Sequence, residues 1–125
     1  MGNTVLIVDD AEFMRVMLRE ILEDMGLAVI GEASNGIEAI EEFQRSRPNL
    51  VLMDITMPKM DGIDALDSII KKDPNALVVM ITALGQKDQV LMAIKAGARD
   101  FIIKPFDQER VQDTLTRLLT PCPVC

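Results

Sequence analysis

Short apolar runs alternate with longer amphipathic stretches along this chain, and that alternation restricts the fold more than any other feature. Repeated strand–helix units of this kind are typical of an α/β fold built on a parallel sheet. We predict strands at residues 5–9, 28–32, 50–54, 77–82 and 101–104. We predict helices at residues 11–25, 36–45, 62–72, 88–96 and 107–119. The first, third and fourth strands are almost wholly apolar, which predicts burial on both faces of the sheet.

The first predicted helix carries apolar residues at the spacing of one helical face. That face is expected to pack against the sheet, and it comprises Phe13, Val16, Met17, Ile21 and Leu22. A helix with such a stripe normally covers one side of a sheet, which agrees with a layered α/β architecture.

The length and composition of the chain predict a single domain. With 125 residues, 49% of them hydrophobic, the chain is large enough for one compact core. We predict that the domain covers residues 1–120 and that residues 121–125 form a flexible tail. Cys122 and Cys125 fall in that tail, so no disulfide is expected to cross-link the body of the fold. Their CxxC spacing supplies only two of the four ligands of a structural zinc site, so a frayed tail is the better interpretation.

The charge and hydropathy of the chain favour protein partners in the cytoplasm. A net charge of −7 repels phosphate backbones, so direct contact with nucleic acid is not expected. No apolar run approaches the roughly twenty residues that a membrane-spanning helix needs. The N-terminal residues show no targeting pattern. We therefore expect a cytoplasmic protein with no membrane association.

Unusual polar residues stand at the ends of the predicted strands. Asp9 and Asp10 end the first strand, Asp54 the third, Thr82 the fourth and Lys104 the fifth. Because parallel strands bring their carboxyl ends to one edge of a sheet, where ligands bind, these residues are expected to converge. Three carboxylates that close repel one another unless a cation offsets the charge. Carboxylate oxygens suit Mg²⁺, so the sequence predicts a magnesium site beside a lysine.

Each of these residues also has an ordinary structural interpretation. Asp9 or Asp10 alone would cap the first helix, where a carboxylate is favourable. Asp54 alone would mark a plain exit from a strand, Thr82 is a common strand residue, and Lys104 is an ordinary exposed lysine. Their coincidence at one edge of the sheet favours the functional interpretation.

The same residues resemble the receiver domain of two-component response regulators. The resemblance rests on Asp9–Asp10, on Asp54 within DITMPKMDG, on Thr82 within ITALG and on Lys104 within DFIIKPF, and it covers residues 5–119. Within that family the chain is most similar to stand-alone chemotaxis regulators. The resemblance, and not the periodicity, implies a flavodoxin-like, doubly wound parallel sheet with strand order 2-1-3-4-5 and a helix after each strand.

The resemblance implies a chemical role for each site residue. Asp54 would be the phosphoacceptor, taking a phosphoryl group as an acyl phosphate. Asp10 and Asp54 would ligate Mg²⁺ directly, the backbone carbonyl of Thr56 would add a third oxygen, and Asp9 would act mainly through a bound water. The ammonium of Lys104 would stabilise charge on the phosphoryl oxygens.

The resemblance also implies a conformational switch. The Thr82 hydroxyl would contact the phosphoryl group, and its movement would be linked to rotation of Phe101. Phe101 lacks the hydroxyl of a tyrosine, so only packing is available to it, and a lone strand aromatic is more often a core residue than a switch. The Lys104–Pro105 peptide bond would be cis, which costs an X-Pro bond only about 0.5–1 kcal/mol.

The resemblance names partners by class. The phosphodonor would be a histidine kinase, and the target would be a protein that binds the face formed by the fourth helix, fifth strand and fifth helix. For a chemotaxis regulator, the flagellar motor switch is the candidate target. We expect a monomer and not an enzyme, because only the chain's own aspartate would be phosphorylated and dephosphorylated. The alternative is a receiver excised from, or acting as a binding module within, a larger regulator of another pathway.

Three other functional classes fit the residues less well. Asp9 and Asp10 would repel the phosphate of an FMN carrier, and the chain has no Trp or Tyr for stacking on the flavin. An aspartate-nucleophile phosphatase would place a DxD pattern on the first strand. A nucleotide hydrolase would need a GxxxxGK loop followed by Ser or Thr, which the sequence lacks.

Overall fold

The computed structural model describes residues 3–57, 60–83 and 85–119. Strands and helices alternate through this part of the chain. In order they are β1 (Thr4–Val8), α1 (Glu12–Asp24), β2 (Ala28–Ala33), α2 (Gly36–Ser46), β3 (Leu50–Asp54), α3 (Gly62–Lys72), β4 (Leu77–Ala83), α4 (Lys87–Ala96), β5 (Asp100–Lys104) and α5 (Gln108–Leu119). The strands form one parallel sheet in the order β2-β1-β3-β4-β5. The flavodoxin-like fold and the strand order are therefore confirmed.

The observed elements begin and end within one residue of the predicted bounds. At β1 both bounds differ from the prediction, because the strand starts at Thr4 and ends at Val8, so that Asp9 lies just after it. Thr4 joins the strand by pairing with Ala28 of β2, and its backbone N–H donates to Asn49 Oδ1 at 2.9 Å. Asp9 follows the strand, and its side chain accepts the Ala11 N–H at 2.9 Å in a tight turn.

The sheet separates two hydrophobic clusters, one on each face. Alternate residues of the central strands enter opposite clusters, so that Leu6 and Val51 belong to one and Ile7 and Leu52 to the other. Helices α2, α3 and α4 cover the first cluster, and α1 and α5 cover the second. The prediction that β1, β3 and β4 are buried on both faces is confirmed.

The apolar face predicted for α1 is partly wrong. Ile21 and Leu22 are buried as expected, together with Leu18. Phe13, however, is 71% exposed, and Val16 and Met17 are also exposed. The side of α1 that meets the sheet runs through residues 14, 18, 21, 22 and 25, so an apolar residue at 13 or 16 lies outside that stripe.

None of the helices in residues 3–57, 60–83 and 85–119 has the length and apolar character needed to cross a membrane. The predicted tail at residues 121–125, with Cys122 and Cys125, lies outside the described residues and stays a prediction.

Candidate functional site

Three carboxylates meet at the carboxyl-terminal edge of the sheet. Asp9 and Asp10 follow β1, and Asp54 is the last residue of β3, the strand paired with β1. One carboxylate oxygen from each residue lies within 4.8 Å of the oxygens of the other two. The convergence that the sequence predicted for these residues is confirmed.

The three carboxylates differ in burial. Asp9 is 1% exposed and Asp54 is 6% exposed, whereas Asp10 faces solvent. Asp9 Oδ1 accepts the Ala11 N–H, but Asp9 Oδ2 is buried and has no hydrogen-bond partner among the described residues. Burial raises the pKa of Asp9, and the nearby Asp54 carboxylate raises it further, against the lowering effects of the Ala11 N–H and Lys104.

Neither aspartate after β1 caps the first helix. The N-cap residue of α1 is Ala11, and no side-chain hydrogen bond caps this end of the helix. Asp9 accepts the N–H of the N-cap residue itself, which is a tight turn and not a capping bond. The capping interpretation of Asp9 and Asp10 is therefore wrong.

Lys104 supplies the positive charge at this edge. It is the last residue of β5, and its Nζ lies 3.1 Å from Asp54 Oδ2 and 3.8 Å from Asp9 Oδ2. The shorter distance is a hydrogen-bonded ion pair, and the longer one is a charge contact without a hydrogen bond. The Lys104–Pro105 peptide bond is cis, as the resemblance implied.

The donor atoms fit a hard divalent cation. All are carboxylate oxygens, and one of them, Asp9 Oδ2, is buried without a hydrogen-bond partner in the described part of the chain. Such an atom carries an uncompensated desolvation cost, which a nearby cation, or a water bound to that cation, would offset. One lysine does not balance three carboxylates, so the cluster has the residual charge that attracts a cation.

The loop after β3 is held against Asp54 by backbone contacts. The Thr56 N–H donates to Asp54 Oδ1 at 3.2 Å, and the Gly62 N–H donates to the Ile55 carbonyl at 2.7 Å. A Cβ at Gly62 would overlap the backbone carbonyl oxygen of Asp54, so only glycine permits this approach. The Thr56 carbonyl as a metal ligand stays a prediction.

Thr82 and Phe101 lie together beside the cluster. Thr82 is 1% exposed. Its hydroxyl donates to Gln86 Oε1 at 2.9 Å, and the Ala83 carbonyl oxygen is a second acceptor 3.3 Å from the Thr82 hydroxyl oxygen. Phe101 is 36% exposed and lines, with Thr82 and Val90, an apolar groove of about 220 Å³. The interpretation of Phe101 as a core residue is therefore wrong.

The sequence analysis missed Arg15. Its guanidinium donates to the backbone carbonyl of Asp9 at 2.6 Å and to Glu32 Oε1 at 3.0 Å. Glu32 is also held by Arg19, with an N–O distance of 2.6 Å. The signal in the sequence was weak, because an arginine on an exposed helix turn is common and its target here is a backbone atom.

The comparisons with known proteins agree with this geometry. Residues 5–116 match the family described as the response regulator receiver domain. The chain belongs to that family, whose members are the receivers of two-component systems.

Individual relatives place the chain near the chemotaxis members of the family. The chain is 53% identical to the chemotaxis protein CheY of Thermotoga maritima over 118 residues, which cover 94% of this chain and 98% of that protein. It is also 50% identical to a protein-glutamate methylesterase/protein-glutamine glutaminase of Pyrococcus horikoshii over 104 residues, which cover 81% of this chain and 28% of that protein. Among solved structures, the CheX-CheY-BeF3-Mg²⁺ complex of Borrelia burgdorferi matches with a TM-score of 0.91 and 38% identity, covering 95% of this chain and 90% of the other.

Proposed function

We propose that this chain is a phosphorylation-controlled switch in which Asp54 accepts a phosphoryl group from a histidine kinase. The observation that carries the proposal is the position of Asp54, whose Oδ2 lies 3.1 Å from Lys104 Nζ and whose carboxylate shares a small cluster with Asp9 and Asp10. Asp54 is nearly buried, so a phosphoryl group there would meet fixed protein groups and little bulk water.

Mg²⁺ is the cation that we propose for the cluster. Asp10, Asp54 and the Thr56 carbonyl would ligate it, and Asp9 would hold one of its waters. When bound, Mg²⁺ would neutralise negative charge on the phosphoryl oxygens. The solved relative from Borrelia burgdorferi is a CheX-CheY-BeF3-Mg²⁺ complex, which supports Mg²⁺ as the cation.

The residues of the chain divide the remaining work. A carboxylate oxygen of Asp54 forms a bond to phosphorus while the phosphorus–nitrogen bond of phosphohistidine breaks, and the electron pair of that bond stays on the imidazole. Asp54 Oδ1 is oriented by the Thr56 N–H. Lys104 moves its hydrogen bond from the Asp54 carboxylate to a phosphoryl oxygen. Water later cleaves the acyl phosphate, so the chain acts on its own residue and is not an enzyme for a separate substrate.

The output of the phosphorylated chain is a change in binding to a protein partner. The proposed surface is the face of α4, β5 and α5, where Leu91, Phe101 and Ile103 are exposed. The names of the close relatives support chemotaxis as the pathway. The target that we propose is the flagellar motor switch, reached within the cytoplasm. The chain would act there as a monomer.

Intact-mass analysis after incubation with acetyl phosphate tests the proposal. Addition of one phosphoryl group is expected with Mg²⁺ and not with excess chelator. Asp54→Asn should abolish the addition, because it removes the attacking carboxylate.

A matched control is Asp61→Asn, which removes a nearby exposed charge but keeps the N-cap bond that Asp61 makes to the Asp64 N–H. This variant should be labelled like the unmodified chain. Labelling of Asp54→Asn at the normal level, or labelling that ignores the chelator, would refute the proposal.

A further inference from the structure

Gln86 occupies a central position between the cluster and α4. It precedes α4 as the N-cap residue, but its side chain makes no capping bond to that helix. The amide instead folds back toward the ends of β3 and β4, where it contacts Thr82, Ala83 and Thr56. The Gln86 side chain therefore does not act as a helix cap.

Every hydrogen-bonding position of the Gln86 amide is used. Oε1 accepts the Thr82 hydroxyl at 2.9 Å and the Ala83 N–H at 2.6 Å. Nε2 donates to Thr56 Oγ1 at 2.9 Å and to Gln89 Oε1 at 2.7 Å. The amide orientation is fixed by chemistry, because the Ala83 N–H is a donor only and must face the oxygen.

The Thr82 hydroxyl has a single proton to donate. Two acceptors compete for that proton, and Gln86 Oε1 at 2.9 Å is closer than the Ala83 carbonyl at 3.3 Å. The hydroxyl must therefore leave Gln86 before it can donate to a phosphoryl oxygen on Asp54. Because Thr82 is almost fully buried, water does not replace Gln86 as its partner. The competition between Gln86 and the phosphoryl group is therefore direct.

We propose that Gln86 is a positioning residue that keeps the Thr82 hydroxyl engaged in the unphosphorylated chain and opposes the switch. The consequence of phosphorylation rests on the proposed function, but the engagement of Thr82 does not. Gln86 also connects the switch to α4, since its carbonyl accepts the Val90 N–H at 3.0 Å in the first turn of that helix. Only Ala93 of α4 is buried, so this helix is weakly anchored and able to follow a movement of Gln86.

The test measures the χ1 distribution of Thr82 from three-bond couplings to its methyl carbon, in the full metal-free chain. Gln86→Met keeps the length of the side chain and removes its polar atoms. We expect the population of Thr82 outside its main χ1 rotamer to rise about fivefold, the factor that corresponds to loss of one hydrogen bond of about 1 kcal/mol. A distribution unchanged from that of the unmodified chain would overturn the proposal.

Two further variants separate engagement of Thr82 from a general effect on the helix. Gln86→Glu keeps an oxygen acceptor for Thr82 and Ala83, so its χ1 distribution should stay as narrow as that of the unmodified chain. Gln89→Met removes a neighbouring amide that contacts Gln86 but not Thr82, and it should leave the distribution unchanged. The proposal would be overturned if Gln89→Met broadened the distribution as much as Gln86→Met does. It would also be overturned if the distribution in Gln86→Glu were as broad as in Gln86→Met.

Acetyl phosphate and Mg²⁺ are then added to the same samples. If the unmodified chain takes up no phosphoryl group, the proposed function fails, and the χ1 measurement still decides the role of Gln86. If it is labelled, the phosphorylated Gln86→Met chain should show the shifted Thr82 rotamer at a lower fraction of phosphorylation than the unmodified chain. If both chains need the same fraction of phosphorylation to show the shifted rotamer, Gln86 does not oppose the switch and the proposal is overturned. Should Gln86→Met fail to fold by urea unfolding, Gln86→Asn, whose amide is too short to reach Thr82, replaces it in every arm.

Discussion

Replacement of Asp9 by asparagine is expected to stabilise the metal-free chain at neutral pH. Asp9 is the most buried of the three carboxylates, and its Oδ2 has no hydrogen-bond partner in the part of the chain that the structure describes. Asparagine keeps the same shape. Its oxygen can accept the Ala11 N–H, as Asp9 Oδ1 does, and its amide nitrogen then faces the carboxylates of Asp10 and Asp54 as a donor.

The size of the effect follows from the unsatisfied oxygen. A buried polar atom without a partner costs about 1–3 kcal/mol, and a like charge nearby adds to this cost. We expect Asp9→Asn to raise the free energy of unfolding by about 1–3 kcal/mol. For a chain of this size, each 1 kcal/mol corresponds to a rise in Tm of about 3–6 °C.

The stabilisation should depend on pH in a defined direction. Burial raises the pKa of Asp9 above 3.8, so the folded chain holds this proton more tightly than the unfolded chain does. Protonated Asp9 therefore favours folding below the unfolded pKa, and that advantage is lost as pH rises through the folded pKa. The gain from Asp9→Asn should be small near pH 3.8 and should reach its full value above the folded pKa.

Urea unfolding of both chains in excess chelator, at a series of pH values from acid to neutral, measures this effect. Asp10→Asn is the matched control, because Asp10 belongs to the same cluster but faces solvent. It removes the same formal charge without relieving a buried carboxylate, so its gain should be smaller. An equal gain in both variants would show that repulsion alone matters, and a loss of stability in Asp9→Asn at neutral pH would refute the role of burial.

Three further predictions concern the cation, the loop and the surface charges. Saturating Mg²⁺ should raise the Tm of the unmodified chain more than that of Asp9→Asn, measured by thermal unfolding with and without chelator. The ion binds only the folded cluster, and Asp9→Asn removes one negative charge from that cluster. Gly62→Ala should lose about 1–3 kcal/mol in urea unfolding and also slow labelling by acetyl phosphate, because its Cβ would displace the Asp54 backbone. Glu32→Gln should lose at most about 1 kcal/mol at neutral pH, since its ion pairs are partly exposed. Hydrogen bonding from Arg19 lowers the pKa of Glu32 below 4.5, so that loss should vanish in urea unfolding as pH falls through the folded pKa.

Most of the fold was predictable from the sequence because parallel strands buried on both faces are unbroken apolar runs. The run from Leu50 to Asp54 gave β3 with the predicted bounds, and its last residue marked the site. The edge of the sheet then brought Asp9, Asp54 and Lys104 together without any knowledge of side-chain geometry. Residues at the carboxyl ends of parallel strands can therefore be predicted from the sequence to lie close together.

The remaining features depend on side-chain directions that periodicity does not determine. Two adjacent aspartates look alike in sequence, yet the turn after β1 buries Asp9 and exposes Asp10. The apolar stripe of α1 was assigned to the wrong side at Phe13, because several apolar residues surround the helix and only contact with the sheet selects among them. Gln86 gave no signal, since its partners lie on three different segments of the chain.

Thr56 joins the two halves of the site. Its N–H donates to Asp54 Oδ1, and its hydroxyl oxygen accepts a hydrogen bond from Gln86 Nε2. Gln86 in turn receives the Thr82 hydroxyl proton, so a continuous chain of hydrogen bonds runs from the Asp54 carboxylate to the switch threonine. Conversion of Asp54 to an acyl phosphate changes the acceptor at the first position of that chain and adds a competing acceptor for the last donor. Both changes weaken the hydrogen bonds that hold the Gln86 side chain. A covalent change at one buried carboxylate can therefore affect the start of α4.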